Sequence, residues 1–347
     1  MIRAACLCLQ KAGTLWCVLR LALFQGHEPP RRRAKAIFHI FLGVYLAVLL
    51  RSTSVEHIHV HHGYFSCWIA MAAARFLGIT YSVTLHGSDL MLHKAYLETK
   101  LANCQFCTTV SEFNRRYILE HYPSISPTKI FVRRMGVDPG QMASQKEHQS
   151  PLIILSVGRL HPVKNHAFLI NACARLKQRR CSFASLIAGE GKERHRLELL
   201  IRSLDMEHQV ILLGHLSPSQ LERYYANSSL VVLTSRSEGL PLTLMEAMTR
   251  GKIVLAPAIT GIPELVRDGE TGFLFREGST DDFIEKVEKI RSSSPEFLNG
   301  IRSSARQLIL EQFDRETNLA SFTDLLVKQT TLAEEINPHE NFVLQQI

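Results

Sequence analysis

The chain lacks several features, and each absence removes a class of protein. Its 347 residues hold no Gly/Ser, Gln or acidic tract, and apolar residues at 46% with charged ones at 21% match a folded globular composition, which excludes a fibrous or long disordered chain. The GxGxxG fingerprint is absent, which removes NAD or FAD binding of that kind, and so is GxxxxGK followed by Ser or Thr. No DxD triplet occurs, so a divalent metal gripping phosphates is not indicated. Of eight cysteines only Cys104 and Cys107 form a CxxC; with no second pair, and with a strand following it, core packing of reduced thiols is expected over zinc or redox chemistry. Met1 to Leu9 is interrupted by Gln10 and Lys11 and no cleavage site follows, so export is not expected. Ala36 to Leu50, broken by His39, is short of spanning length and reads as a buried helix.

At this length one hydrophobic core is exceeded, and two α/β domains are expected. From Ser150 onward, short β-branched runs alternate with amphipathic stretches, the pattern of βαβ units on a parallel sheet. Strands are predicted at Leu152–Val157, Phe183–Ile187, Gln209–Leu213, Leu230–Leu233, Lys252–Ala256 and Gly272–Phe275, with Gly or Pro at the joints. The first half gives strands at His57–Val60, Tyr81–Leu85, Phe106–Val110 and Lys129–Arg134, after about fifty residues of helical sequence. Phe65–Leu77 should form a helix stopped by Gly78, and Ser111 should cap another. The polar stretch Pro139 to Pro151 fits a linker, which sets the domains at 1–148 and 149–315, with 316–347 as a final helix and a frayed tail.

The net charge of +8 is concentrated at the N-terminus: Met1 to Arg51 carries eight Lys/Arg against Glu28 alone. Interleaved with Leu, Ile, Phe and Val, this charge suits either an anionic membrane surface or a solvated basic helix face. Nucleic acid fits less well, because stacking aromatics and groove-reading polar residues are missing.

The richest segment for chemistry is Ser235 to Gly251 (SRSEGLPLTLMEAMTRG), where a strand ends in a turn and a helix begins near Pro241. Glu238 in the turn and Glu246 in the helix can both face the crevice above the strand ends, and the unpaired N–H groups of the helix start can receive a diphosphate. Val157 to Asn165 (VGRLHPVKN) brings two cations, Arg159 and Lys164, to the end of another strand. A nucleotide sugar needs cations for its phosphates and carboxylates for its hydroxyls. The glycines of IAGEG, around Gly189 and Glu190, let the backbone approach a ligand or a neighbouring helix. In the first half His86 ends a β-run in LHGSD. His57, His59, His61 and His62 lie along another strand, without a carboxylate or Cys at zinc-ligand spacing, and suit sheet-edge roles. Each segment alone could be an ordinary surface loop or a solvated helix face; their coincidence is what favours a ligand.

In their order, VGRLHPVKN, IAGEG, LTSRSEGLPLTLMEAM and GIPELVRDGETGFL resemble family 4 of the glycosyltransferases, and HIHVHHGY, YSVTLHGSDL, VSEFNRRYI and RRMGVDP resemble its bacterial members that build exopolysaccharide and lipopolysaccharide. The resemblance implies the type B fold, two Rossmann-like domains facing across a cleft. It also implies a retaining hexose transfer from a UDP- or GDP-sugar to a glycan or lipid-linked acceptor, with no cofactor and no obligatory metal. It would place Arg159 and Lys164 on the diphosphate, Glu246 on the ribose, and Glu238 with Gly189, Glu190, Gly239 and Leu240 about the donor. His215 and Leu216 would border the base, and His86 would reach the sugar from the first domain. The chain is then expected in the cytoplasm, or peripheral on the cytoplasmic membrane.

One departure stands out. Family members open with a β-strand and a Gly-rich loop, whereas this sequence starts in helical residues, so the N-terminal domain is expected to be incomplete. That leaves open an alternative reading, an inactive or truncated nucleotide-sugar-binding protein.

Overall fold

The computed structural model describes residues 2–139 and 151–336. The chain divides into two compact units, Met1–Arg134 with Leu319–Ile347, and Met135–Asn318. The expected 148/149 boundary and nearly all of the expected linker lie outside the described residues, as does the tail from 337.

The first unit opens with α1 (Ile2–Gln10), α2 (Ala12–Phe24) and α3 (Pro30–Leu50). Strand β1 (His57–His61) and α4 (Phe65–Leu77) follow, and Gly78, with φ 74°, ends α4 in the left-handed conformation that a residue without Cβ adopts freely. Strands β2 (Thr80–Leu85), β3 (Cys107–Thr109) and β4 (Ile130–Val132) complete a parallel sheet in the simple order β1-β2-β3-β4. Its core joins Val18, Ile40, Trp68, Met71, Val83, Leu85 and Leu101.

Cys104 and Cys107 are both buried, and burial pushes the Cys104 thiol up to about 12, so these cysteines are core residues. Among the described residues no group of three or more His, Cys, Asp or Glu is arranged to hold a metal. The segment expected as a buried helix is different in kind. It begins six residues earlier, at Pro30, runs for 21 residues, and buries only one face, through Ala36, Ile40, Gly43, Val44 and Ala47. A Cβ on Gly43 would lie 2.6 Å from both Ala72 Cβ and Ile69 O, so α3 and α4 are in backbone-to-backbone contact there. Apolar residues occupy both faces of the helix, so apolar content alone does not indicate which face is buried.

The second unit carries β5 (Leu152–Val157), β6 (Phe183–Ala188), β7 (Val210–Gly214), β8 (Leu230–Val232), β9 (Ile253–Pro257) and β10 (Phe273–Phe275). All pair in parallel, in the order β10-β9-β8-β5-β6-β7. Strands buried on both faces read as continuous apolar runs, as LIILSV and IVLAP do. Leu152, Ile154, Ile187, Val232, Leu255 and Phe273 pack against helix residues such as Leu169, Cys173, Phe283 and Ile301. Both units are thus α/β layers of the Rossmann type.

Candidate functional site: the switch point of the second sheet

The chain leaves β5 toward β6 and β7 on one side, then returns to place β8 on the other side of β5. Loops that leave two neighbouring strands in opposite directions open a crevice at the carboxyl ends, which is where α/β sheets bind ligands. Here those strands are β5 and β8, and their loops are the segments singled out in the sequence.

After β5, the chain makes one 3-10 turn, Pro162–Lys164, in which His161 Nδ1 accepts the Val163 N–H at 3.3 Å and Asn165 adopts φ 52°. The loop after β8 is stitched to it: Arg236 N–H donates to Val163 O at 2.8 Å and the Thr234 hydroxyl donates to Lys164 O at 3.0 Å. These bonds bring Lys164 Nζ to 2.5 Å from Glu238 Oε1, with side-chain exposures of 19% and 13%. So shielded a pair is screened less than a surface one. The Lys164 stem crosses Gly158, where a Cβ would sit 3.5 Å from it, and Glu238 N–H donates to Thr260 Oγ1 at 3.3 Å.

Beyond Glu238, Gly239 and Leu240 are buried and lead to the helix Leu242–Thr249, whose N-cap is Pro241. Pro241 has no side-chain acceptor to satisfy the first helical N–H groups, so that end of the helix keeps its partial positive charge. Glu246, half-buried on this helix, accepts the Tyr225 hydroxyl at 3.0 Å on Oε2. Arg250 grips Glu222 at 2.6 Å, donates to Glu246 O at 2.7 Å, and lies over the Tyr225 ring at 5.0 Å. Tyr225 is 1% exposed, and burial, reinforced by Glu246, raises its phenol well above its usual range, so it stays a neutral donor.

The remaining expected residues divide. Arg159 follows Gly158 at the end of β5, is exposed, and has no side-chain partner among the described residues. Gly189 and Gly191 have a reason other than ligand approach: Cβ atoms there would lie 2.0 Å from Gly158 O and 2.4 Å from Leu160 O, so they let the loops after β5 and β6 touch. Glu190 is exposed and paired with Arg194 at 2.8 Å. His215 is exposed and Leu216 half-buried just after β7, two strands away from β5.

His86 belongs to the first unit, at the end of β2. Its Nε2 lies 3.0 Å from His61 Nδ1, its ring centroid 4.5 Å from that of His62, and burial lowers its pKa to about 4. The loop is held by Asp89, fully buried, whose carboxylate accepts N–H groups of Gly63 at 3.1 Å, His86 at 3.0 Å and Gly87 at 2.9 Å. On β1, His57, His59 and His61 share one face by strand alternation. His57 bonds Thr80 and Ser82 at 2.7 and 2.6 Å, and His59 bonds Ser82 and Thr84 at 2.7 and 2.8 Å. The ring nitrogens of His57 and His59 are used by hydroxyls of the neighbouring strand.

Tyr225, Arg250 and Asp89 were not singled out in the sequence. Glu246 and Arg250 are four residues apart, which hints at a helix contact, but nothing local places Tyr225 or Glu222 beside them.

With this geometry in place the comparisons are decisive on family. Residues 139–308 match the family described as Glycosyl transferases group 1, and residues 19–141 match Glycosyltransferase Family 4. The chain belongs to the group 1 glycosyltransferases of family 4. It is 36% identical over 159 residues to the amylovoran biosynthesis glycosyltransferase AmsK of Erwinia amylovora, covering 43% of this chain and 39% of that protein. The chain spans about half the length, or less, of the first curated relatives it matches. Among solved structures, HepE of Anabaena in complex with UDP-glucose superposes with a TM-score of 0.70 at 19% identity, covering 82% of each chain. The lipopolysaccharide outer core galactosyltransferase WaaB gives a TM-score of 0.68 at 22% identity, covering 84% of this chain and 80% of that one. At these identities the likeness shows the type B glycosyltransferase fold.

Proposed function

We propose that the chain transfers a hexose from a nucleoside-diphosphate sugar to a glycan or lipid-linked acceptor in bacterial exopolysaccharide or lipopolysaccharide synthesis. The observation that carries this is the Lys164–Glu238 pair at the β5/β8 switch point. A ligand with phosphate beside sugar hydroxyls engages both members at once: the diphosphate draws on Lys164 and the hydroxyls on Glu238. Arg159 and the uncapped start of Leu242–Thr249 add positive potential for the charge that grows on the leaving diphosphate. Glu246, with Tyr225 on one oxygen, keeps the other for a ribose hydroxyl. In this reading those groups neutralise the diphosphate without a divalent cation.

The reaction breaks the bond from C1 of the sugar to the diphosphate oxygen and forms one from C1 to the acceptor oxygen. The acceptor proton leaves toward the departing phosphate. Attack on the face the diphosphate vacates retains configuration and needs no protein nucleophile. HepE, of the same fold, binds UDP-glucose in its solved structure, which favours UDP as the first nucleotide to test, with GDP as the second.

The test is release of UDP or GDP from a panel of UDP- and GDP-sugars with crude lipid-linked acceptors. Turnover with at least one donor, lowered by roughly two orders of magnitude in Glu238→Ala, is expected. Donor binding without turnover under every condition would overturn the transferase reading and leave a nucleotide-sugar-binding protein.

A further inference from the structure

Helix α3 presents two unlike apolar faces. One is fixed against α4 at Gly43, and the other carries Phe38, Phe41, Leu42, Tyr45 and Leu49, which are 61%, 47%, 38%, 42% and 54% exposed. Their spacing of three and four residues makes them one stripe along about 16 Å of helix. Single exposed apolar residues are ordinary, but a contiguous stripe of large side chains in water marks a surface that is covered by something.

The charges around the stripe say what covers it. Arg31 and Lys35, exposed in the first two turns of α3, have no ion-pair partner among the described residues, while Arg32 pairs with Glu28 at 2.9 Å. Arg33 is occupied at the end of α2, where it donates to Gly26 O at 2.8 Å and Glu28 O at 2.9 Å. With eight cations to one acid over residues 1–51, a second copy of this chain would meet the stripe with a like-charged surface. An anionic bilayer surface instead offers phosphates to the cations and acyl chains to the rings. Length alone would let Pro30–Leu50 span a bilayer, with 28% of its most apolar window buried. Spanning, however, would require pulling the Gly43 face off α4 into lipid.

We propose that α3 is an interfacial membrane-docking helix. It lies in the plane of an anionic bilayer with Phe38, Phe41, Leu42, Tyr45 and Leu49 inserted and Arg31 and Lys35 on lipid phosphates. This is independent of the donor site, because every residue involved lies in the first unit.

The experiment is co-sedimentation of the full chain with vesicles of phosphatidylcholine alone and of phosphatidylcholine mixed with phosphatidylglycerol. It compares wild type, Phe41→Ser with Leu42→Ser, and Arg31→Gln with Lys35→Gln. UDP binding and thermal melting serve as folding checks on each variant. Wild type should bind the anionic vesicles and be largely released by high salt, and each double variant should bind them about tenfold or more weakly. No binding to either vesicle, or binding untouched by both double variants, would overturn the proposal. So would self-association without lipid that the serine variant abolishes, which would assign the stripe to a second copy. Resistance of membrane-bound chain to carbonate extraction would likewise overturn it in favour of a spanning helix.

Discussion

The two parallel sheets of this chain use the same βα units but order them differently. The second reverses at β5/β8, while the described strands of the first run β1 to β4 in one direction. A reversal splays two loops apart, and there the structure brings a cation and a carboxylate to 2.5 Å above the strand ends. The described strands of the first sheet form no such fork. Its polar groups are engaged locally, His57 and His59 with hydroxyls of β2 and Asp89 with three backbone N–H groups. Topology, more than composition, separates the unit proposed to grip the donor from one whose β1 histidines and Asp89 hold its own strands and loops.

That contrast can be broken most sharply at Asp89. Asp89→Ala leaves three N–H groups without their acceptor and should cost the first unit about 3 to 5 kcal/mol, read as a lower unfolding midpoint in urea, with UDP binding by the second unit preserved. An unchanged midpoint would show that the loop of His86 does not depend on that carboxylate.

Next comes Glu238→Ala, expected to lower turnover by roughly two orders of magnitude, as for losing one group preorganised for the transition state. A full-rate variant would move the sugar contact elsewhere. Smaller effects are expected on binding: Lys164→Ala and Glu246→Ala should each weaken UDP or GDP by roughly 1 to 3 kcal/mol in calorimetry, and Tyr225→Phe by about 1 kcal/mol, through loss of one hydrogen bond that orients Glu246. Equal affinities in all three would detach Glu246 and Lys164 from the donor.

Acid sharpens the comparison from the other side. Burial lowers His57 to about 4, His59 to about 3 and His86 to about 4 in the first unit, against His166 at about 4 in the second. An unfolded chain protonates these histidines near 6.5, before the folded one does, so the folded state is fully favoured above that pH and loses ground as pH falls toward 4 and then 3. The first unit's melting temperature should fall by roughly 5 °C more than the second's between about pH 7 and about pH 5, and His59→Gln should narrow the gap. Parallel melting of the two units would contradict the buried, neutral state of the β1 histidines.

Much of this was legible in the sequence for physical reasons. Ten runs with the right length and punctuation are the ten strands among the described residues, each within a few residues of its predicted bounds, and Phe65–Leu77 ends at Gly78 as expected. Lys164 and Glu238 could be nominated because each follows a strand in a Gly-bearing loop. Their adjacency could not, because it depends on the strand order. Gly189 and Gly191 were legible as close-approach positions, but the partner, the backbone of Gly158 and Leu160, emerges only from the packed sheet. Tyr225 and Arg250 were invisible for the same reason: their partners Glu246 and Glu222 lie 21 and 28 residues away in the chain. The exposed face of α3 was missed because apolar content does not say which face is covered.

The most direct measurement of the central claim is hydrogen–deuterium exchange with and without UDP. Slowed exchange is expected, confined in the second unit to residues 158–165 and 234–246, the two loops leaving β5 and β8 and the helix start beyond. Protection that spares both loops while UDP is demonstrably bound would contradict it.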